Sequence, residues 1–499
     1  MPWLPQTQTK RRVAMNLQKE FRADRVRAQV GVEPMTPQTI LRLAHATGQV
    51  ITARRGYTDL RPSVMIGTDT RASASMFSAA LQAGFTAAGV DTILCGEMPT
   101  PGVAYLTRQH GCQAGLVVSA SHNPSQDNGI KFFSAEGTKL PDDQEQAIAE
   151  AMRGPLVCVP SSGLGVTSCL PEAGALYIDF CKHALPEGMN LRGMKIVVDA
   201  AHGASHQVAP EVFRQLGAHV IAVGVSPNGV NINSQVGATM PRHLARAVMA
   251  HQADLGVALD GDGDRLAMVD ATGRIYGGDE LLYVLAVDAQ INDCLQGGVV
   301  GTMMSNQGLE RALRDRGLPF ERAAVGDRHV KTLLQRRGWR LGGEGSGHLI
   351  GLDWHSTSDG VMAALRVMGA LQRSGRTLAQ LCESLCMSAQ YLVNVPLLLA
   401  PMGQDDDWII RFQQHAEKEV GGAGRVLLRA SGTEPVVRLL VESSSLAKAK
   451  SMAHRLVEEM RYMLNHGAGL TPSAVRHPVG RRTGHQSVTR GTEMHQTTS

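Results

Sequence analysis

The segment Leu259-Asp-Gly-Asp-Gly-Asp-Arg265 sets three carboxylates at alternate positions with glycines between them. Glycine lets the backbone curl, so Asp260, Asp262 and Asp264 can converge on one hard cation through oxygen ligands. An EF-hand does not fit, because the twelfth position counted from Asp260 is Ala271 rather than Glu. The apolar run from Leu255 to Leu259 places these acids at the end of a strand, which argues for a Mg²⁺ site over a merely solvated turn. Arg265, beside the metal, is suited to a phosphate oxygen.

Three more segments carry chemistry. In Ser119-Ala-Ser-His-Asn-Pro124, Ser121 stands at a strand end among small residues and is placed for nucleophilic or phosphoryl-carrying work. A hydrolase elbow would need a GxSxG pattern that is absent, and taken alone the segment could equally be an ordinary Asx/ST turn. Lys131, shortly after it, is either a solvated cation or a charge that stabilises a transferring phosphoryl group. In Gly342-Gly-Glu-Gly-Ser-Gly-His348, Glu344, Ser346 and His348 are the polar side chains on a glycine-rich backbone, suited to sugar hydroxyls or simply part of a hinge. In Arg429-Ala-Ser-Gly-Thr-Glu-Pro435, Arg429, Ser431, Gly432 and Thr433 supply a guanidinium, hydroxyls and backbone N–H groups for an anion nest. Read together, the last two segments point to a phosphosugar.

The elements that must position these residues repeat one pattern, an apolar run, a Gly/Asp/Ser turn, then a helical period. Strands are expected over 64–70, 115–119, 195–199 and 298–301. The spacing of Phe77, Leu81 and Phe85 predicts a helix that stops at Gly89, and further helices are expected over 208–216 and from Leu309. Strand alternating with helix argues a doubly wound α/β architecture used more than once. The last segment differs: strands over 425–429 and 436–441 flank a turn, and Met452, Leu456 and Met463 mark one face of a closing helix, giving an α+β unit.

The chain has 499 residues, enough for three or four domains, with 43% hydrophobic, 19% charged and 4% aromatic residues and 54 glycines. Few aromatics make stacking surfaces for single-stranded nucleic acid unexpected. The net charge of +4 sits at the ends, with seven Lys/Arg against two acids in 1–28 and four against one in 467–499. The body between has no basic excess, so a nucleic-acid partner is not expected. No apolar stretch is long enough to span a membrane. The eight cysteines form no CxxC pair, which reads as reduced thiols in a cytoplasmic protein.

These four motifs, in this order, resemble the α-D-phosphohexomutase superfamily over roughly residues 17–466, and most of all its bacterial phosphoglucosamine mutase branch. Ser119-Ala-Ser-His-Asn-Pro124, Pro227-Asn-Gly-Val-Asn-Ile-Asn233, Gly301-Thr-Met-Met-Ser-Asn306 and Val325-Gly-Asp-Arg328 carry that finer likeness. The resemblance implies three related α/β domains and a C-terminal α+β domain around a cleft. Their expected extents are 17–158 (phosphoserine), 159–257, 258–375 (metal and sugar loop) and 376–466 (phosphate-binding), with disordered ends over 1–16 and 467–499.

The resemblance further implies interconversion of glucosamine 6-phosphate and glucosamine 1-phosphate through a 1,6-bisphosphate, supplying UDP-N-acetylglucosamine for cell-wall synthesis. Ser121 would carry the phosphoryl group and, with Asp260, Asp262 and Asp264, hold one Mg²⁺. His122 and Lys131 would act beside it. Arg265, Glu344, Ser346, His348, Arg429, Ser431, Gly432 and Thr433 would bind substrate, with Arg27 and Arg71 as further contacts. Glucosamine or glucose 1,6-bisphosphate would be the activator, the partner a small phosphosugar, and a homodimer stays open.

The chain departs from the family pattern at Phe21-Arg-Ala-Asp-Arg-Val-Arg-Ala28, where the usual glycines and threonine are lost, and at Thr68, His202 and Gly345. These changes keep three alternatives in view: a phosphomannomutase/phosphoglucomutase, a weakened sugar-phosphate-binding paralogue and a metal-dependent phosphohydrolase.

Overall fold

The computed structural model describes residues 26–54, 61–396, 407–421, 424–430 and 436–466. It divides into two compact units that meet in sequence between Ser388 and Ala389.

The described residues of the first unit form three sheets. The first sheet comprises β1 (Val26–Gln29), β2 (Ser63–Thr68), β3 (Asp91–Glu97), β4 (Ala114–Val118), β5 (Asp127–Ser134) and β6 (Thr167–Cys169), in the order β1-β5-β4-β2-β3-β6. Strand β2 runs parallel to β3 and β4, while β5 is antiparallel to β4 and β1. Alternation along β2 divides its side chains between two cores: Val64 and Ile66 pack with the helices Pro37–Arg54 and Ala74–Ala87, and Met65 packs on the other face with Val103 and Leu106 of Thr100–Gln109. A strand covered on both faces is continuously apolar, which is why β4 reads Ala-Gly-Leu-Val-Val. The expected helix through Phe77, Leu81 and Phe85 ends at Ala87, with Gly89 following at φ +78°.

The second sheet holds β7 (Lys195–Asp199), β8 (His219–Val223), β9 (Leu255–Leu259), β10 (Leu266–Asp270) and β11 (Ile275–Tyr276), ordered β11-β10-β9-β7-β8. The Asp-rich turn joins β9 to its antiparallel neighbour β10, so it belongs to this sheet, and the division expected between residues 257 and 258 falls inside β9. The third sheet is β12 (Val299–Thr302), β13 (Phe320–Ala323), β14 (Leu341–Gly343) and β15 (Leu349–Gly351), in the order β13-β12-β14-β15. Helix Gln307–Asp315 starts two residues before Leu309 because the Asn306 side chain caps it, accepting from Gly308 N.

The second unit is the antiparallel sheet β16 (Ala389–Pro396), β17 (Gly424–Ala430) and β18 (Val436–Ser443), ordered β16-β18-β17, with helices Asp407–Val420 and Leu446–His466. It has its own core, in which Phe412, Val437, Leu439, Val441 and Leu456 are buried, with Met452 and Met463 packed against it. This is the expected α+β unit. The expected extents 1–16 and 467–499 lie outside the described residues, as does the anion-nest stretch 431–435. No helix among the described residues is long and apolar enough to cross a membrane. All eight cysteines are free thiols.

Candidate active site

The loop after β4 brings Ser121 to the turn after β9. Ser121 is buried, sits in the left-handed region at φ +52°, and its Oγ donates to Asp260 Oδ2 at 2.7 Å. A non-glycine residue in that conformation costs roughly 1–2 kcal/mol, so the surroundings must hold it there. They do so at both backbone ends. Ser121 N donates to Ser119 Oγ at 3.0 Å, and Ser119 Oγ donates to Asp69 Oδ2 at 2.6 Å. Ser121 O accepts from Arg71 Nη2 at 3.1 Å and from Asn233 Nδ2 at 2.9 Å. Close approach of the two segments depends on Gly261, where a Cβ would lie 2.6 Å from Ser121 O.

Asp260, Asp262 and Asp264 are buried and place one carboxylate oxygen each within 4.8 Å of the others; among the described residues they are the one His/Cys/Asp/Glu group able to share an ion. Asp260 Oδ1 accepts from the N–H groups of Asp264 and Arg265, both at 3.1 Å. Asp262 Oδ2 accepts from Thr100 Oγ1 and Lys131 Nζ, while its Oδ1 is buried without a hydrogen-bond partner. Lys131 Nζ also donates to Asp264 Oδ2 at 2.7 Å, so this ammonium bridges two of the three acids. An all-carboxylate oxygen set with an orphaned buried oxygen fits a hard divalent cation. Burial and the charges of Asp264 and Asp262 push the Asp260 carboxyl up. Burial opposes charge on Asp264 too, yet Lys131 and His348 hold it well below the carboxylate range.

The glycine-rich loop between β14 and β15 reaches the same acids. His348 Nε2 lies 2.8 Å from Asp264 Oδ1 and its Nδ1 3.1 Å from Glu344 Oε2, while Gly326 N donates to Glu344 Oε1 at 2.9 Å. Burial disfavours the imidazolium, but the two carboxylates hold His348 up at about 9. His122 goes the other way. Burial, then Arg265 and Arg27, press it down to about 3, so it is neutral and meets Ser121 Oγ at 3.4 Å as a hydrogen-bonding group rather than a cation.

The structure therefore brings together Ser121, His122, Lys131, Asp260, Asp262, Asp264, Arg265, Glu344 and His348. Arg265 Nε is buried without a hydrogen-bond partner, 3.7 Å from Asp260 Oδ2. Arg27 Nη1 donates to Asn123 Oδ1 at 3.0 Å. Arg71 is buried beneath the serine loop, and Ser346 is exposed at the tip of its loop. Arg429 is the penultimate residue of β17 in the second unit, paired across the ladder with Arg438; Ser431, Gly432 and Thr433 lie outside the described residues. Asp69, Thr100 and Asn233 were not expected. Asp69 and Asn233 stand in segments already singled out, but Thr100 has no local signal.

Comparison with known proteins gives the chain's relatives. Models of phosphoglucomutase/phosphomannomutase α/β/α domain I, domain II, domain III and the C-terminal domain match residues 18–155, 175–273, 277–388 and 390–459. A phosphoglucosamine mutase of Burkholderia thailandensis is 53% identical over 443 residues, covering 88% of this chain and 98% of that one. The enzyme of the same name from Paraburkholderia phymatum is 54% identical over 438 residues, covering 87% and 97%. Among solved structures, a phosphoglucomutase/phosphomannomutase family protein of Burkholderia thailandensis shares the fold at a TM-score of 0.73 and 24% identity, covering 89% of this chain and 98% of that one. An Aspergillus fumigatus N-acetylphosphoglucosamine mutase, solved with GlcNAc-6P and magnesium, aligns at a TM-score of 0.62 and 16% identity over 91% and 98% of the two chains. With four domain models in sequence and relatives more than half identical along nearly their whole length, the chain belongs to the phosphoglucosamine mutase family of phosphohexomutases.

Proposed function

We propose that this protein interconverts glucosamine 6-phosphate and glucosamine 1-phosphate, with Ser121 as the phosphoryl carrier. The observation that carries the reading is a buried serine hydroxyl held 2.7 Å from one of three clustered carboxylates. In the first transfer the bond from phosphorus to Ser121 Oγ breaks as a bond to the free sugar hydroxyl forms, giving a 1,6-bisphosphate. After the bisphosphate turns over, its other phosphoryl group returns to Ser121 Oγ. The cycle consumes no water and no net proton. Glucosamine or glucose 1,6-bisphosphate would load Ser121 initially.

Asp260, Asp262 and Asp264, with the Ser121 phosphate, would hold Mg²⁺, which supplies charge against the phosphoryl oxygens when bound. Lys131 adds a fixed ammonium beside the transfer, and Arg265, with its unpartnered buried Nε, is aimed to take a phosphate oxygen. Glu344 and His348 support the sugar-facing loop, on which the exposed Ser346 is the group able to reach a sugar hydroxyl. Arg429 with Ser431, Gly432 and Thr433 would grip the phosphate not being transferred. The experiment is a coupled assay on glucosamine 6-phosphate after priming with glucose 1,6-bisphosphate. Formation of the 1-phosphate, with one phosphoryl group on Ser121 by mass spectrometry, is expected; Ser121→Ala should lose both and keep substrate binding. Release of inorganic phosphate would mark a hydrolase instead, undiminished turnover by Ser121→Ala would overturn the carrier, and preference for glucose or mannose 6-phosphate would move the assignment to the phosphomannomutase/phosphoglucomutase branch.

A further inference from the structure

A guanidinium has five N–H donors, and those of Arg71 are all committed. Nε donates to Asp69 Oδ2 at 2.8 Å; Nη1 donates to Pro124 O and, at 3.0 Å, to Asp127 O; Nη2 donates to Ser121 O at 3.1 Å and Asn123 O at 2.7 Å. Four carbonyls of the loop from 121 to 127 thus converge on one side chain that is 2% exposed. A phosphate could reach Arg71 only by displacing these carbonyls and dismantling the loop that carries the serine.

The same guanidinium closes a ring of bonds around Ser121. Asp69 Oδ1 accepts from Arg71 N at 3.0 Å, while its Oδ2 takes both Arg71 Nε and Ser119 Oγ. Ser119 Oγ in turn receives Ser121 N, so Asp69 fixes one side of the serine directly through Ser119 and the other through Arg71. From the second sheet's side, Asn233 Nδ2 donates to Ser121 O and, at 3.2 Å, to Asn123 O, the two carbonyls that Arg71 Nη2 holds. Both lone pairs of Ser121 O are used and its unfavourable φ is determined from two domains.

We infer that Arg71, backed by Asn233, is the positioning residue that aims the Ser121 hydroxyl, and that it makes no contact with substrate. The inference rests on the phosphoryl-carrier reading of Ser121. A planar fork is required: Lys keeps the charge but offers three donors from one atom and cannot span carbonyls at 121, 123, 124 and 127. A transfer whose attacking atom drifts by about 1 Å loses on the order of a hundredfold in rate.

The test compares the full-length wild type with Arg71→Lys, Arg71→Ala and Asn233→Ala in the primed assay, measuring kcat and KM for glucosamine 6-phosphate and normalising to folded protein. For Arg71→Lys, kcat should fall about a hundredfold with KM within about twofold, and methylguanidine added to Arg71→Ala should restore kcat without changing KM. Asn233→Ala should lower kcat by a smaller factor, also at constant KM, and it keeps the inference testable if the Arg71 variants do not fold. A raised KM with kcat retained would make Arg71 a substrate contact and overturn the inference, as would unchanged kcat in Arg71→Lys. Loading of wild-type Ser121 by the bisphosphate, read in the same experiment, separates the two readings: without it the carrier itself falls, whereas normal loading with an indifferent Arg71→Lys removes only the clamp.

Discussion

At Asp262 one oxygen is saturated by Thr100 and Lys131 and the other is buried without a partner, so a single carboxylate is anchored at one end and keeps a lone oxygen for a ligand. Asp262→Asn keeps the shape and removes the charge; we expect Mg²⁺ affinity, measured by calorimetric titration of the purified protein, to fall by about a hundredfold or more. Unaltered affinity would place the metal elsewhere. The acids and Ser121 were legible from sequence because their chemistry is concentrated in six or seven neighbouring residues. Thr100 was not, since its value comes from a contact across 162 positions. Arg71 was legible as a residue of this neighbourhood, but a sequence shows an arginine's charge and hides which carbonyls its donors meet. The lowered basicity of His122 likewise comes from burial and from Arg265 and Arg27, none of which its own segment announces.

Turns decide the geometry at the level of elements. A methyl group on Gly261 would meet Ser121 O at 2.6 Å and Asn233 Nδ2 at 2.8 Å, the atoms that fix the serine. Gly261→Ala should therefore cost about 1–3 kcal/mol of stability by overpacking and lower kcat more than KM; chemical denaturation and the coupled assay check this. A second connection ties the segment after β5 to the third sheet. Lys139 Nζ pairs with Asp327 Oδ1 at 2.6 Å, Ser356 Oγ donates to Gly137 O at 2.6 Å, and Lys331 Nζ donates to Ser356 O at 2.7 Å. Burial lowers the Lys331 ammonium to about 8 despite Asp327, with Lys139 adding to the effect. The folded chain thus binds fewer protons than the unfolded one between about pH 8 and the usual lysine value of about 10.4. Stability from this group rises with pH across that window and is lost as pH falls through about 8. Lys331→Met should flatten the difference between urea midpoints near about pH 7 and about pH 10; an unchanged difference would contradict the assignment. Strand and helix positions were readable in the sequence because apolar runs and the 3.6 period survive without tertiary context. The division between second and third sheets was not, because β10 pairs back onto β9 and no composition change marks that return.

Over the whole molecule, the two units have separate hydrophobic cores, one of them confined to 391–463. Residues 389–466 produced alone are expected to unfold cooperatively in a thermal melt followed by circular dichroism; a featureless melt would show that this core is insufficient. The Ser121 hydroxyl illustrates the opposite kind of organisation. Ser121 is joined to Arg71 across 50 positions, to Asn233 across 112 and to Asp260 across 139. During synthesis the ribosome has already completed β6, the last strand of the first sheet, before the residues that steady this serine from the other side exist. Chains that end before Asn233 and Asp260 consequently lack these partners of Ser121, and the set is complete only once translation has passed the middle of the message.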